Sequence, residues 1–301
     1  MEFTNFMTLV REEIEKRVGD TYQVKINGVM KNNGILLQGL TMLQDGSNIS
    51  PTIYLNNYYE AYEQGLVSMG AVVDDVLDTY ERNKINSSVD ICSFMNYEKI
   101  RNQIIFKLIN TEKNRELLED VPHISFCDLS IVFQCLVSEE MFGNATIMIH
   151  NAHMALWNLT VDELYARAAE NTPRLHPYEI RSMRDIIRDI ASEFGENEIP
   201  EQDLAEKTPM YVLSNKMHVH GAASMLYQDI LKDFATALGN DMYILPSSIH
   251  EVILLPAQGD EDCEGLKQMV REINETQVEP EEVLSDSVYF FERKTGRIRT
   301  I

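Results

Sequence analysis

Three apolar runs between residues 100 and 150 constrain the fold most strongly. They are IIFKLI at 104–109, ISFCDLSIVFQCLV at 124–137 and ATIMI at 145–149. Their β-branched and aromatic residues are typical of strands buried in a sheet. Segments with helical periodicity precede and follow these runs, and their apolar stripes need a surface to cover. The sequence therefore predicts an α+β fold, with helices packed on a mixed or antiparallel central sheet.

Both ends of the chain carry recognisable local patterns. Residues 3–18 place apolar side chains at three- and four-residue steps, which predicts an amphipathic helix. A hairpin follows, turning at 31–34, where Asn-Gly supplies the positive φ angles that tight turns need. A second hairpin is predicted at the C-terminus, with its turn at 294–296. Further helices are predicted over residues 58–83, 114–120, 178–194, 221–238 and 266–273, and from a capping box at Thr160 and Glu163.

The chain shows no internal repeat and no obvious linker, so we expect residues 1–301 to form a single α+β unit. A division into two lobes is the alternative. The first lobe, residues 1–95, would hold the N-terminal helix and hairpin, and the second, residues 96–301, would hold the main sheet.

The charge balance restricts the classes of partner. The chain has 48 acidic and 26 basic side chains, a formal net charge of −22. Nucleic-acid binding draws most of its affinity from cations that neutralise phosphates, so direct binding to DNA or RNA is not expected. A protein partner with a basic surface suits this charge better, although solubility alone also explains an acidic surface.

The cysteines and the apolar runs indicate the compartment. Cys92, Cys127, Cys135 and Cys263 are widely spaced and form no C-x-x-C pair, so neither a zinc knuckle nor a disulfide framework is expected. No run is long enough to span a membrane, and the N-terminus lacks the pattern of a signal peptide. We expect a cytoplasmic protein with no bound metal and no cofactor. The oligomeric state is left open.

The stretch ILPSSIHEVILLP at 244–256 places two serines, a histidine and a glutamate between two apolar runs. These residue types suit acyl transfer, but residues two apart on a strand lie roughly 7 Å apart, which exceeds hydrogen-bonding reach. No G-x-S-x-G elbow accompanies them. We interpret Pro246-Ser247-Ser248 as a turn whose hydroxyls bind backbone groups. A ligand-contacting loop and a catalytic serine are the alternatives.

Other polar groups give weaker signals. His150 and His153 have the spacing of a metal-binding pair, with Asp128 or Glu163 as a third ligand, but loop and cap roles are commoner for such residues. His218 and His220 precede a small-residue segment that suits either an anion or close packing. If the chain is an enzyme, we expect its polar site to be assembled from distant residues. The candidates are Asp128, Asn151, His153, Ser248, His250 and Glu251.

Several blocks follow one another in a characteristic order. They are NGILLQGL (33–40), NISPTIYLN (48–56), VPHISFCDLSIVF (121–133), ATIMIHNAHMALW (145–157), MYVLSN with GAASMLY (210–227), MYILPSSIHEVILLP (242–256) and VLSDSVYFF (283–291). Together they resemble the bacterial family of unknown function DUF5688 over nearly the whole chain. The resemblance implies a single-unit bacterial cytosolic protein and suggests an accessory function linked to mobile elements. It implies no catalytic residue and no cofactor.

Two hypotheses about function follow. The first is a non-enzymatic binding or regulatory protein that uses its acidic surface on a protein partner, with imitation of the charge of DNA as a special case. It is favoured because no catalytic constellation is complete. The second is a hydrolase or transferase that uses the distant polar residues named above.

Overall fold

The computed structural model describes residues 1–84, 94–137, 145–193, 209–246, 248–259 and 262–301. Within these ranges helices accompany antiparallel sheets, which confirms the predicted α+β class. The chain divides into two compact units, residues 1–94 with 138–145 and residues 95–137 with 146–301. No helix in the described ranges is long and apolar enough to cross a membrane.

The smaller unit packs helices on a three-stranded sheet of order β1-β2-β3. Its elements are α1 (Phe3–Val18), β1 (Tyr22–Met30), β2 (Leu36–Gln44), β3 (Thr52–Tyr54), α2 (Asn56–Glu63) and α3 (Met69–Asn83). The predicted N-terminal helix and hairpin are both confirmed. Helix α1 buries Phe6, Val10 and Ile14 at four-residue steps, and the hairpin turn holds Asn33 at a φ of 61° and Gly34 at 70°.

The single helix predicted over residues 58–83 is wrong in one respect, because two helices occupy this region. Gly65, at a φ of 73°, lies in the break that follows α2. Ser68 then starts α3 by accepting a hydrogen bond from the backbone N–H of Ala71. A left-handed glycine followed by a serine cap is a stop and start signal that outweighs the continuous apolar periodicity.

The larger unit contains a four-stranded sheet built on β6, with β4 on one edge and β5 and β7 on the other. Every residue of β4 and β6 is buried, as the apolar runs predict. The elements of this part are α4 (Tyr97–Ile100), β4 (Ile104–Asn110), α5 (Arg115–Asp120), β5 (His123–Phe126), β6 (Leu129–Leu136), β7 (Thr146–Met148), α6 (Asn151–Trp157) and α7 (Val161–Leu175).

Helix α7 lies along the outer edge of β4. It starts at the predicted capping box, in which Thr160 and Glu163 satisfy each other's backbone N–H groups. Near its other end, the Nδ2 of Asn171 donates to the carbonyl of Ile104, and the Oγ1 of Thr172 accepts from the N–H of Phe106. Two buried side chains therefore occupy the backbone positions that another strand would use.

The second sheet of the larger unit has six strands in the order β13-β12-β10-β11-β9-β8, all antiparallel. Gly296, at a φ of 67°, confirms the turn of the predicted C-terminal hairpin. The elements are β8 (Tyr178–Ser182), α8 (Met183–Glu193), β9 (Tyr211–Asn215), α9 (Ile230–Leu238), β10 (Met242–Leu245), β11 (Val252–Pro256), α10 (Cys263–Thr276), β12 (Tyr289–Glu292) and β13 (Arg297–Thr300).

Two further helix predictions need correction. Residues 178–182 form β8, because they pair with β9, and the helix begins only after Ser182, whose hydroxyl accepts from the N–H of Asp185. Its predicted end at Phe194 lies outside the described residues. The segment 221–238 is a short 3₁₀ helix, Gly221–Leu226, followed by α9, and Asp229 separates the two at a φ of 63°. A left-handed residue cannot continue a right-handed helix.

Candidate functional site

The serine of the ILPSSIHEVILLP stretch lies in the turn that precedes β11. The Oγ of Ser248 accepts a hydrogen bond from the backbone N–H of His250 at 3.0 Å. Ser248 also forms an isolated β-bridge with Val283. Its hydroxyl therefore stabilises the turn, as serine side chains commonly do. Ser247 lies outside the described residues.

Both ring nitrogens of His250 contact protein groups. Its Nδ1 accepts from the backbone N–H of His220 at 3.3 Å, and its Nε2 lies 3.3 Å from the Oε1 of Glu282. Because Nδ1 accepts an N–H, the proton of the neutral ring belongs on Nε2, facing the carboxylate. In this arrangement neither nitrogen is available to take a proton from Ser248, so a Ser–His pair is not formed.

His250 belongs to a group of basic side chains that we call the histidine cluster: Lys107, His176, His220 and His250, with Glu282 at its edge. The rings of His220 and His250 stack with their centroids 5.9 Å apart. Lys107 and His176 are 9% and 5% exposed, so two cationic residue types lie in the interior. Lysine and histidine are seldom this deeply buried, so the cluster stands out among the polar groups that the structure describes.

The surroundings of His220 in this cluster change its pKa. Burial lowers the pKa of His220 well below its ordinary value, and the positive charges of Lys107, His250 and His176 add to the effect. His220 is therefore a neutral imidazole at neutral pH, able both to donate and to accept a hydrogen bond. Within the described part of the chain, no three His, Cys, Asp or Glu side chains are grouped to hold a metal ion.

At position 221, next to the histidine cluster, the surrounding atoms leave room only for glycine. A Cβ on Gly221 would clash with the Oγ of Ser214 and with the carbonyl of His250. That Oγ donates to the same carbonyl at 2.8 Å. Asn215 closes the preceding loop, because its Oδ1 accepts from Met217 N–H and its Nδ2 donates to the carbonyl of Val219. The small-residue start at 221 thus serves close packing here.

Asp128, a predicted candidate, lies in a different polar group of the larger unit. Its carboxylate accepts hydrogen bonds from the hydroxyls of Ser285 at 2.5 Å, Ser287 at 3.1 Å and Tyr289 at 2.5 Å. Burial, and then the charge of Asp128, raises the pKa of Tyr289. The carboxylate thus ties the β5–β6 turn to the segment leading into β12, and its hydrogen-bonding capacity is largely used by this role.

Asn151 and His153 lie in a third place, at the start of α6. The Nδ2 of Asn151 donates to the carbonyl of Glu119, and the Nδ1 of His153 accepts from the N–H of His150. The Nδ1 of His150 lies 2.7 Å from the Oδ2 of Asp120. Burial, and then His150, lowers the pKa of His153. These contacts fix the start of the helix and leave the two histidines tied to different partners.

The six predicted site residues are therefore distributed over several places. Ser248 and His250 share the turn before β11, and Glu251 beside them is exposed. The segment 282–289 joins this turn to Asp128, since Glu282 contacts His250 and Ser285 contacts Asp128. Asn151 and His153 lie at the start of α6, where they contact Glu119 and His150. Sequence reasoning missed Lys107 and His176 as members of a cluster, although a lysine inside the apolar run IIFKLI was a usable signal.

A separate feature is the solvent-facing side of α10, which we call the acidic helix face: Glu264, Gln268, Met269, Glu272, Glu275 and, just beyond the helix, Glu279. Met269 is 46% exposed among these polar side chains. Glu264 pairs with Lys267 at 2.7 Å. Glu272, Glu275 and Glu279 form no ion pair with any other residue that the structure describes, and the exposed Arg271 lies beside Glu272 and one turn before Glu275.

The comparisons with known proteins give one match. A model of the family of unknown function DUF5688 matches residues 3–293 of the 301. No curated protein and no solved structure matches. Because the family match spans almost the whole chain, this protein belongs to the family of unknown function DUF5688.

Proposed function

We propose that this protein is a non-enzymatic binding or regulatory protein of the cytoplasm that contacts a basic protein partner through the acidic helix face. The observation that carries the proposal is the set of exposed carboxylates at Glu272, Glu275 and Glu279, which form no ion pair with any residue that the structure describes, near the exposed Met269. Exposed carboxylates attract a cationic surface, and a methionine among them offers an adaptable apolar contact. The described cysteines Cys127, Cys135 and Cys263 are free thiols, which suits a reducing compartment.

The geometry of His250 supports binding over catalysis. A serine nucleophile needs a histidine nitrogen within hydrogen-bonding reach, and both nitrogens of His250 face other groups. The carboxylate of Asp128 is likewise surrounded by three hydroxyl donors. The contacts of these two groups therefore support the binding proposal over a catalytic one.

The test is affinity capture from a lysate of the encoding organism, with the tagged full chain as bait. The triple variant Glu272→Lys, Glu275→Lys and Glu279→Lys should lose a partner that the wild type retains. The matched control is Glu12→Lys, Asp45→Lys and Glu60→Lys, which makes the same charge change at exposed positions of the smaller unit. The control should retain the partner, and roughly 0.5 M salt should release it.

The same capture experiment separates a specific face from overall acidity. Equal loss in both triple variants would mean that net charge alone attracts the partner, and retention by the α10 variant would contradict the proposal. Added duplex DNA provides a further arm. If the partner is a DNA-binding protein, DNA should displace this chain, which is the outcome expected for imitation of DNA charge.

A further inference from the structure

Strand β8 is an edge of the six-stranded sheet, because β9 is its only partner among the strands that the structure describes. The N–H of Lys216 donates to the carbonyl of Pro177, just before β8, so Pro177 belongs to a hydrogen-bonded pair. Such pairs alternate along antiparallel strands, so the N–H and C=O groups of Tyr178 and Ile180 point away from β9. Within the described ranges these outward groups have no hydrogen-bond partner.

Helix α8, which follows β8 directly, carries apolar side chains that are also uncovered. Ile187 is 37% exposed and Ile190 is 51% exposed, and no described residue of the helix is buried. An amphipathic helix normally buries its apolar side against another element. The ion pair between Arg181 of β8 and Asp189 of α8 holds the helix beside the strand. A bare strand edge and an apolar helix surface therefore lie next to each other.

The sequence of β8, YEIRS, is self-complementary in an antiparallel pair of two copies. With Ile180 opposite Ile180 of the second copy, the outward backbone groups face each other, and Glu179 lies opposite Arg181 in both halves of the pair. The neighbouring registers that keep these groups aligned place Glu179 opposite Glu179, or Arg181 opposite Arg181. Opposite charges across a strand pair stabilise it and like charges destabilise it, so the charges select the register centred on Ile180.

We propose that this chain forms a two-fold homodimer in which β8 pairs with β8 of a second copy and the two α8 helices meet through Ile187 and Ile190. A two-fold axis that relates antiparallel neighbours is perpendicular to the sheet, so both helices lie on the same face. A five-residue strand pair is small beside the roughly 1,200–2,000 Å² that stable interfaces bury, and the isoleucines add apolar area. This surface is separate from the acidic helix face.

Sedimentation velocity of the full chain tests the proposal. The wild type should sediment as a dimer at about 50 μM. Glu179→Arg places arginines opposite each other and Arg181→Glu places glutamates opposite each other, so each variant alone should dimerise at least about tenfold more weakly. An equimolar mixture of the two variants should regain the dimer, because each chain then carries the charges that complement the other.

Two further variants test the strand and the helix separately. Ile180→Pro should abolish the dimer but keep the fold, because an edge strand tolerates a proline where the lost N–H faced outward. Ile187→Ser with Ile190→Ser should weaken the dimer. Met30→Ser with Leu36→Ser, at exposed apolar positions of the smaller unit, is the matched control and should leave it unchanged. Circular dichroism checks that each variant remains folded.

Three results would overturn the proposed dimer. The first is a wild type that remains monomeric up to about 200 μM. The second is a dimer that both charge variants retain, and the third is a mixture of these variants that stays monomeric. These results concern only the β8 edge, so they are independent of the capture experiment on the acidic helix face.

Discussion

The imidazole ring of His250 lies parallel to that of His220, with 7° between their planes, and its Nδ1 accepts the backbone N–H of His220. The two rings belong to segments thirty residues apart, before β11 and after β9. The contact thus holds two loops of the six-stranded sheet in place, next to the buried Lys107 and His176.

This arrangement predicts a pH dependence of stability. Burial and the charges of Lys107, His250 and His176 lower the pKa of His220 in the folded state, so below its ordinary pKa the unfolded chain binds more protons. The stability that the neutral His220 contributes is therefore fully present above its ordinary pKa. It is lost as the pH falls from that value through the lower pKa of the folded state. His220→Asn, which tolerates a φ of 52°, should show a shallower loss.

Denaturant unfolding at a series of pH values from about 7.5 to 5 measures this slope. His153 shifts in the same direction, so His153→Asn is the comparison that isolates the His220 contribution. Equal slopes for the wild type and His220→Asn would contradict the prediction.

Gly221→Ala should destabilise the larger unit by about 1–3 kcal/mol, the usual range for overpacking. The added Cβ would meet the Oγ of Ser214 and the carbonyl of His250. Gly70→Ala is the matched control, because its Cβ would have only the Oγ of Ser68 nearby, at 3.9 Å, and alanine favours helix. Thermal unfolding should show a lower Tm for the first variant and an unchanged or higher Tm for the second.

Asp128→Ala should cost about 3 kcal/mol or more in the free energy of unfolding, because it leaves the buried hydroxyls of Ser285 and Tyr289 without their acceptor. Glu251→Ala, at an exposed position of the same unit, should change this free energy by less than about 0.5 kcal/mol. Denaturant unfolding followed by far-UV circular dichroism compares the two. Similar values for both variants would show that the Asp128 contacts contribute little.

The thiols should differ in reactivity. Burial raises the pKa of Cys135 to about 12, so its reactive thiolate is scarce at neutral pH and its sulfur is inaccessible. Cys127 is exposed in the β5–β6 turn and should alkylate faster in the native protein. Timed iodoacetamide labelling with peptide mass spectrometry measures both rates. Labelling of Cys135 at the rate of Cys127 would indicate that β6 opens readily.

Local signals predicted much of the fold because each acts within a few residues. The Asn-Gly turn, the Thr160–Glu163 capping box and the apolar runs of β4 and β6 all formed as expected. One misassigned segment depended on a distant partner. Residues 178–182 have helical spacing but pair with β9, and that pairing is not visible in the segment itself.

The polar sites were harder to predict for the same reason. Lys107, His176 and His220 come together only because β4, the end of α7 and the loop after β9 meet. Asp128 meets Ser285 across 157 residues of sequence. Ser248 and His250 are only two residues apart and resemble a catalytic pair, but Ser248 contacts the backbone N–H of His250 and not its ring. Proximity in sequence was a poor guide to proximity in space.

The side chains of Asn171 and Thr172 along β4 have a consequence for self-association. An apolar strand with a bare outer edge is a template on which other molecules stack and aggregate. Here the Nδ2 of Asn171 already donates to the carbonyl of Ile104, and the Oγ1 of Thr172 already accepts from the N–H of Phe106. A foreign strand therefore cannot pair with β4 at these two positions without displacing side chains of the same chain.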